Sequence, residues 1–128
     1  EHYYYKFAAD IPGRDDPGIF HSVDLWFFFE TLAKCSRPFR GKHYDLARQM
    51  CNYWVNFIKT GNPNGLDDDR SPLPEWFPYT HTTPFEMVFT TQGAKPVQEE
   101  EKPFMKFMME TIVRQLEGSS RETNRETK

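Results

Sequence analysis

The stretch from Pro17 to Leu32, Pro-Gly-Ile-Phe-His-Ser-Val-Asp-Leu-Trp-Phe-Phe-Phe-Glu-Thr-Leu, constrains the fold of this chain more than any other. His21 stands where a glycine-containing loop gives way to an almost wholly apolar segment. Ser22 suits a helix N-cap, because its hydroxyl can accept from an unpaired amide one turn in. Asp24 falls in the first turn, where the helix dipole favours a carboxylate. Leu25, Phe28, Phe29 and Leu32 recur at helical spacing, and Trp26 and Phe27 leave almost no polar face, so the helix is expected to be buried nearly all round. An imidazole at the mouth of such a helix is either a general base or a hydrogen-bonded histidine with no catalytic role. These residues alone leave both readings open.

A chain of 128 residues fits at most one domain by the usual prior of about 100–200 residues per domain. Its hydrophobic fraction, 38%, is low for a self-sufficient globule, but aromatics reach 16%, so a few large side chains must carry the buried area. The net charge of −3, with no basic stripe to displace counterions, argues against a nucleic-acid partner. No run of about 18 apolar residues is present to span a membrane. The chain opens at Glu1 inside a strand-like run, with no signal-peptide pattern, and is therefore expected to be a piece of something longer. Cys35 and Cys51 are the only cysteines; two thiols in apolar surroundings fit a cytoplasmic protein better than a disulfide in a secreted one.

Along the chain, His2–Phe7 reads as a short aromatic strand whose consecutive bulky residues predict cover on both faces. Ala8–Gly18, with Pro12, Pro17, Gly13, Gly18 and three aspartates, is an irregular loop. The grouping Asp15, Asp16, His21 and Asp24 matches neither a helical two-histidine zinc motif nor a calcium loop, and no metal is expected. Tyr44–Lys59 is an amphipathic helix, with Leu46, Met50, Tyr53, Trp54, Phe57 and Ile58 on one face and Arg48, Gln49, Asn52, Asn56 and Lys59 opposite. Gly61 closes it, and Pro63 follows. Residues 62–71 are expected to form a long solvated loop. Pro72–Pro84 is too irregular for regular structure, yet too aromatic to lie free of the body. Phe85–Thr90 and Ala94–Val97 form a hairpin around Gln92-Gly93, and Glu99–Leu116 is a last helix with Phe104, Phe107, Met108, Ile112 and Leu116 as its buried stripe. Residues 118–128 have no bulky apolar side chain and read as a polar tail, or as a helical extension ordered by neighbours.

The order of three motifs carries a resemblance. His21-Ser-Val-Asp-Leu-Trp-Phe-Phe-Phe29, then Tyr53-Trp-Val-Asn-Phe-Ile-Lys-Thr-Gly-Asn-Pro-Asn64, then Trp76-Phe-Pro-Tyr-Thr80, following an aromatic strand, resemble the C-terminal third of the type-B carboxylesterases. The wording of the His21 motif is closer to bacterial members than to animal ones. The resemblance implies an α/β class: a C-terminal fragment of an α/β-hydrolase fold spanning residues 1–117, followed by the tail. The elements are a parallel strand, a histidine loop, a buried helix, an amphipathic helix, a short hairpin and a C-terminal helix.

By its place in the motif, His21 is then implied to be the general base of a Ser–carboxylate–His triad in a serine ester hydrolase that works through an acyl-enzyme. Phe20 and Trp26 become candidates for the pocket wall, while Ser22 and Asp24 are structural neighbours of the site. No cofactor is implied. The family's G-x-S-x-G nucleophile elbow is absent, since the only Gly-Ser pair, Gly118-Ser119, lies in the polar tail. Nucleophile, acid and oxyanion hole are therefore expected upstream. The implied partners are a small carboxylic ester and the N-terminal remainder of the same protein; the chain alone is expected to be inactive and to cover exposed apolar surface by self-association. The competing reading is a catalytically silent binding or adhesion module of the same fold.

Overall fold

Phe85–Thr90 alternates along its length, and a strand sends alternate side chains to opposite faces. In the computed structural model, which describes residues 1–98 and 103–123, this segment is the central strand of a three-stranded sheet and buries Met87 and Phe89 completely. We number it β2. Strand β1 (Tyr5–Phe7) runs parallel beside it, with Tyr5 opposite Met87 and Phe7 opposite Phe89. Strand β3 (Gly93–Gln98) returns antiparallel, one residue longer at each end than the sequence pattern predicts. Gly93 opens β3 at φ 118°, a conformation that side chains with a Cβ rarely adopt.

A parallel pair needs a long crossover, and the segment between β1 and β2 contains helices α1 (Leu25–Phe28) and α2 (Gly41–Thr60). Helix α2 ends where Gly61 adopts φ 74° and donates its N–H to the Phe57 carbonyl at 2.7 Å. Leu46, Ala47, Met50 and Tyr53 are buried, in one core cluster with Phe27, Phe28, Leu32, Met87 and Phe89. The predicted apolar face is only partly used: Trp54 and Phe57 are exposed, and Ile58 is 69% exposed. The opposite face is not simply solvated either. Arg48 Nε and Asn52 Nδ2 each donate to Asp67 Oδ1 at 3.0 Å, tying the helix to the following loop. That loop is thus anchored rather than free, with Pro63 buried and the Asp67 side chain only 8% exposed.

The proline-rich segment lies against the body, as its aromatic content predicts. Trp76 is buried, its backbone held by Asn64, which accepts from Trp76 N at 2.6 Å and donates to Trp76 O at 2.9 Å. The indole N–H donates to the Tyr4 carbonyl at 3.1 Å. Tyr53, Trp76 and Phe89 pack mutually with ring centroids 5.5–5.8 Å apart, within the range where tilted and edge-on aromatic pairs are favourable.

Three expectations are corrected. Strand β1 is not covered on both faces: Tyr3, Tyr5 and Phe7 pack on the core while Tyr4 and Lys6 are exposed. The segment after His21 is not a long buried helix but a single turn, α1, followed by a 3-10 turn at Leu32–Lys34. Glu30 takes φ 50°, a left-handed conformation that cannot continue a right-handed helix, so Phe27, Phe28 and Leu32 are buried while Leu25 and Phe29 face outward. Third, the last helix, α3 (Pro103–Thr123), leaves the described part of its apolar stripe uncovered, with Phe104 68% and Phe107 64% exposed and Met108 and Ile112 exposed as well, while the Leu116 side chain lies outside the described ones. Its predicted first residues, 99–102, and residues 124–128 of the predicted tail lie outside the described residues, whereas 118–123 continue the helix. Cys35 and Cys51 are both free thiols.

Candidate active site

The loop that carries His21 leaves the sheet at the C-terminal end of β1. Ala8 N donates to Phe89 O at 2.7 Å, and Asp10 N to Thr91 Oγ1 at 2.8 Å, after which the chain departs from the sheet. It returns as a tight turn closed by Val23 N donating to Phe20 O at 3.2 Å, with His21 and Ser22 as the two central residues. Ser22 sits at φ 66°. A non-glycine residue there costs on the order of 1–3 kcal/mol and persists only where its surroundings over-determine it. Ser22 is therefore not the N-cap that the sequence predicts, because a cap residue needs extended backbone. It is the hinge of the turn that presents His21.

Asp24 takes the flanking position of α1 but makes no side-chain cap. Its carboxylate accepts instead from the Tyr5 hydroxyl, Oη to Oδ2 2.8 Å, joining the histidine turn to β1. Burial, and then this hydrogen bond, push the Tyr5 phenol up to about 12, so it stays a donor across the neutral range. The His21 side chain is exposed and makes no side-chain hydrogen bond among the described residues. Phe20 and Trp26 are brought together edge to face, with centroids 5.7 Å apart, and Trp26 rests in turn on Phe39 at 6.2 Å. They flank His21 in the chain. An apolar cavity of about 100 Å³ lies between β1 and α2, lined by Tyr3, Tyr5, Tyr53, Trp54, Phe57 and Trp76.

Asp15, Asp16, His21 and Asp24 form no metal-capable cluster among the described residues. Asp15 is engaged elsewhere, in a two-pronged ion pair with Arg37 at 2.9 and 3.0 Å. Sequence reasoning missed this pair and the Tyr5–Asp24 bond. Both join residues about 20 positions apart through an irregular loop, where no periodicity links partners. Arg37 reads locally only as part of a Ser-Arg-Pro break.

Residues 1–108 match the family model described as the carboxylesterase family. The chain belongs to the carboxylesterase family. It is 32% identical over 115 residues to bovine (Bos taurus) carboxylesterase 4A, a match covering 81% of this chain and 19% of that protein. To Caenorhabditis elegans acetylcholinesterase 1 it is 28% identical over 98 residues, covering 73% of this chain and 16% of the other. Among solved structures it is similar to an esterase of Clostridium hathewayi that hydrolyses aliphatic aromatic polyesters, with a TM-score of 0.63 and 25% identity over 75% of this chain and 18% of that one. A carboxylesterase of Geobacillus stearothermophilus gives a TM-score of 0.59 at 27% identity, covering 80% of this chain and 20% of its own. This carboxylesterase-family chain thus has part of an α/β-hydrolase fold, and it spans less than a quarter of each of these relatives.

Proposed function

We propose that this chain supplies the general-base histidine, His21, to a serine carboxylic ester hydrolase whose nucleophile, acid and oxyanion hole come from the remainder of the protein. The observation that carries the reading is the position of His21. It stands exposed on a strained turn reached from the C-terminal end of a parallel strand, in a chain matched to the carboxylesterase family across residues 1–108. Ligand and catalytic groups of α/β sheets gather outside the carboxyl ends of the strands. There one ring nitrogen of His21 takes the proton of a serine hydroxyl as it attacks the ester carbonyl, then returns it to the leaving alcohol. A carboxylate on the other nitrogen fixes the tautomer. Water activated by the same imidazole then releases the acid from the acyl-enzyme. Phe20 and Trp26, packed edge to face beside the histidine, serve as wall for the substrate.

The test is His21→Ala in the full-length enzyme. Turnover of a nitrophenyl ester should fall by at least on the order of 10⁴ with KM little changed, because the loss is confined to the transition state. A variant that keeps most of its rate removes His21 from the mechanism, and a full-length protein with no turnover and no covalent labelling by a fluorophosphonate points to a silent binding module instead. The chain by itself should hydrolyse nothing. It should also self-associate through its uncovered apolar faces, and sedimentation as a monomer at micromolar concentration would count against that.

A further inference from the structure

The loop between β1 and α1 contains three residues in left-handed backbone conformations: Asp16 at φ 41°, Gly18 at φ 60° and Ser22 at φ 66°. Two of them carry a Cβ, so the loop must be held from outside to keep its shape. Among the described residues, every side-chain hydrogen bond made by residues 11–23 involves one group, the Arg37 guanidinium. Its Nη1 donates to the Pro12 carbonyl at 3.1 Å and to Asp15 Oδ1 at 3.0 Å, and its Nη2 donates to Asp15 Oδ2 at 2.9 Å. The same guanidinium lies over the ring of Phe20, with the carbon 5.6 Å from the centroid. Phe20 is the residue before His21 and the acceptor that closes its turn.

We infer that Arg37 is a positioning residue for the histidine turn, fixing residues 12–20 with its planar fork and thereby, through Phe20, where the His21 ring points. The inference rests on the reading of His21 as general base. Two further observations support it. The Arg37 side chain is only 20% exposed although its partner Asp15 is 60% exposed, so the guanidinium is seated in the loop rather than reaching out over the surface. Gly13 shows how closely the chain wraps it: a Cβ there would stand 2.4 Å from Arg37 Nη1 and 2.3 Å from Asp15 Oδ1. The fork also holds the Asp15 carboxyl below the usual carboxylate range, in keeping with a formed pair rather than a passing one. Lysine could supply the charge but not two parallel donors plus a flat face for Phe20.

The experiment uses the full-length enzyme with Arg37→Ala, Arg37→Lys, Asp15→Ala and the Arg37→Ala/Asp15→Ala double variant. Active sites are counted with a fluorophosphonate so that misfolded protein is excluded from the rate. Turnover of a nitrophenyl ester per titrated site should fall about 10- to 100-fold in Arg37→Ala, the scale expected when a catalytic group is misplaced by about an ångström, with KM within about twofold. Arg37→Lys should restore little of it. Asp15→Ala, which alters an exposed residue, should lower turnover in the same sense, and the double variant should be no slower than Arg37→Ala alone, because the two act as a unit. Turnover per site within about twofold of the parent in both Arg37→Ala and Asp15→Ala overturns the inference while leaving the base assignment intact, provided His21→Ala is inactive in the same assay. Full turnover in His21→Ala overturns both.

Discussion

Helices α2 and α3 are of nearly equal length and both read from sequence as amphipathic, yet they end in opposite situations. On α2, Leu46, Ala47, Met50 and Tyr53 are buried against β2 and the single turn α1. On α3, Phe104, Phe107, Met108 and Ile112 lie open. The difference does not lie in the strength of the pattern. Helix α2 has aromatic and aliphatic neighbours on two sides and a polar tether, Arg48 and Asn52 to Asp67, that stops it rolling. Helix α3 comes after the hairpin in the chain, and the described side chains of its stripe lie open while α2, β2 and β3 pack on one another. An apolar stripe states that a face needs cover; what covers it is decided by the rest of the fold.

Truncation at matched positions is the sharpest way to break this comparison. Met50 is wholly buried in α2, so Met50→Ala should remove about 2–5 kcal/mol of stability, measured by urea denaturation, as buried large-to-small changes do. A cost below about 1 kcal/mol would mean that α2 is not seated as described.

The tether of α2 gives the next largest effect. Arg48 Nε donates to Asp67 Oδ1 at 3.0 Å, and Asp67 is nearly buried beside it. Hydrogen bonding from Arg48, ahead of the other contributions, holds the Asp67 carboxyl below its ordinary value of 3.8. A carboxyl whose folded value is depressed contributes stability above its unfolded value and loses it as pH falls through the folded one. Asp67→Asn should therefore cost about 1–3 kcal/mol at neutral pH, and the difference should shrink as pH falls below the ordinary carboxylate value and the parent's carboxyl protonates too. Parallel stability curves for parent and variant down through the acid range would remove the tether from the account.

How far the sequence could be read follows from the same physics. Helix α2 with its Gly61 stop, the hairpin, and the pinning of Trp76 were legible because periodicity, φ-permissive glycine and aromatic bulk are local signals. The motif order also led to the family that the comparisons show. The segment after His21 reads as a long helix because the pattern of Leu25, Phe28, Phe29 and Leu32 does suit one, while the left-handed backbone of Ser22 and Glu30 leaves no mark in residues that are not glycine. The anchors of that turn, Tyr5 on Asp24 and Arg37 on Asp15, were invisible for another reason. Each is a contact between elements, and nothing in an aspartate-rich loop says which aspartate an arginine will choose.

The smallest effect is the most discriminating for the two helices. Phe107 presents a larger side chain than Met50, and a scale based on residue size alone ranks its truncation as the costlier of the two. Its 64% exposure means that little area is withdrawn from water, so Phe107→Ala should change the folding stability of the dilute chain by no more than about 0.5 kcal/mol. The same substitution should matter for association, since Phe104 and Phe107 are the two most exposed aromatics of the stripe. Equilibrium sedimentation of the chain should show self-association weakened in Phe107→Ala and unchanged in a variant of the polar face such as Glu110→Gln. If instead Phe107→Ala lowered stability as much as Met50→Ala at concentrations where the chain is monomeric, the stripe would be seated on the body after all. The contrast between α2 and α3 would then reduce to two helices packed alike.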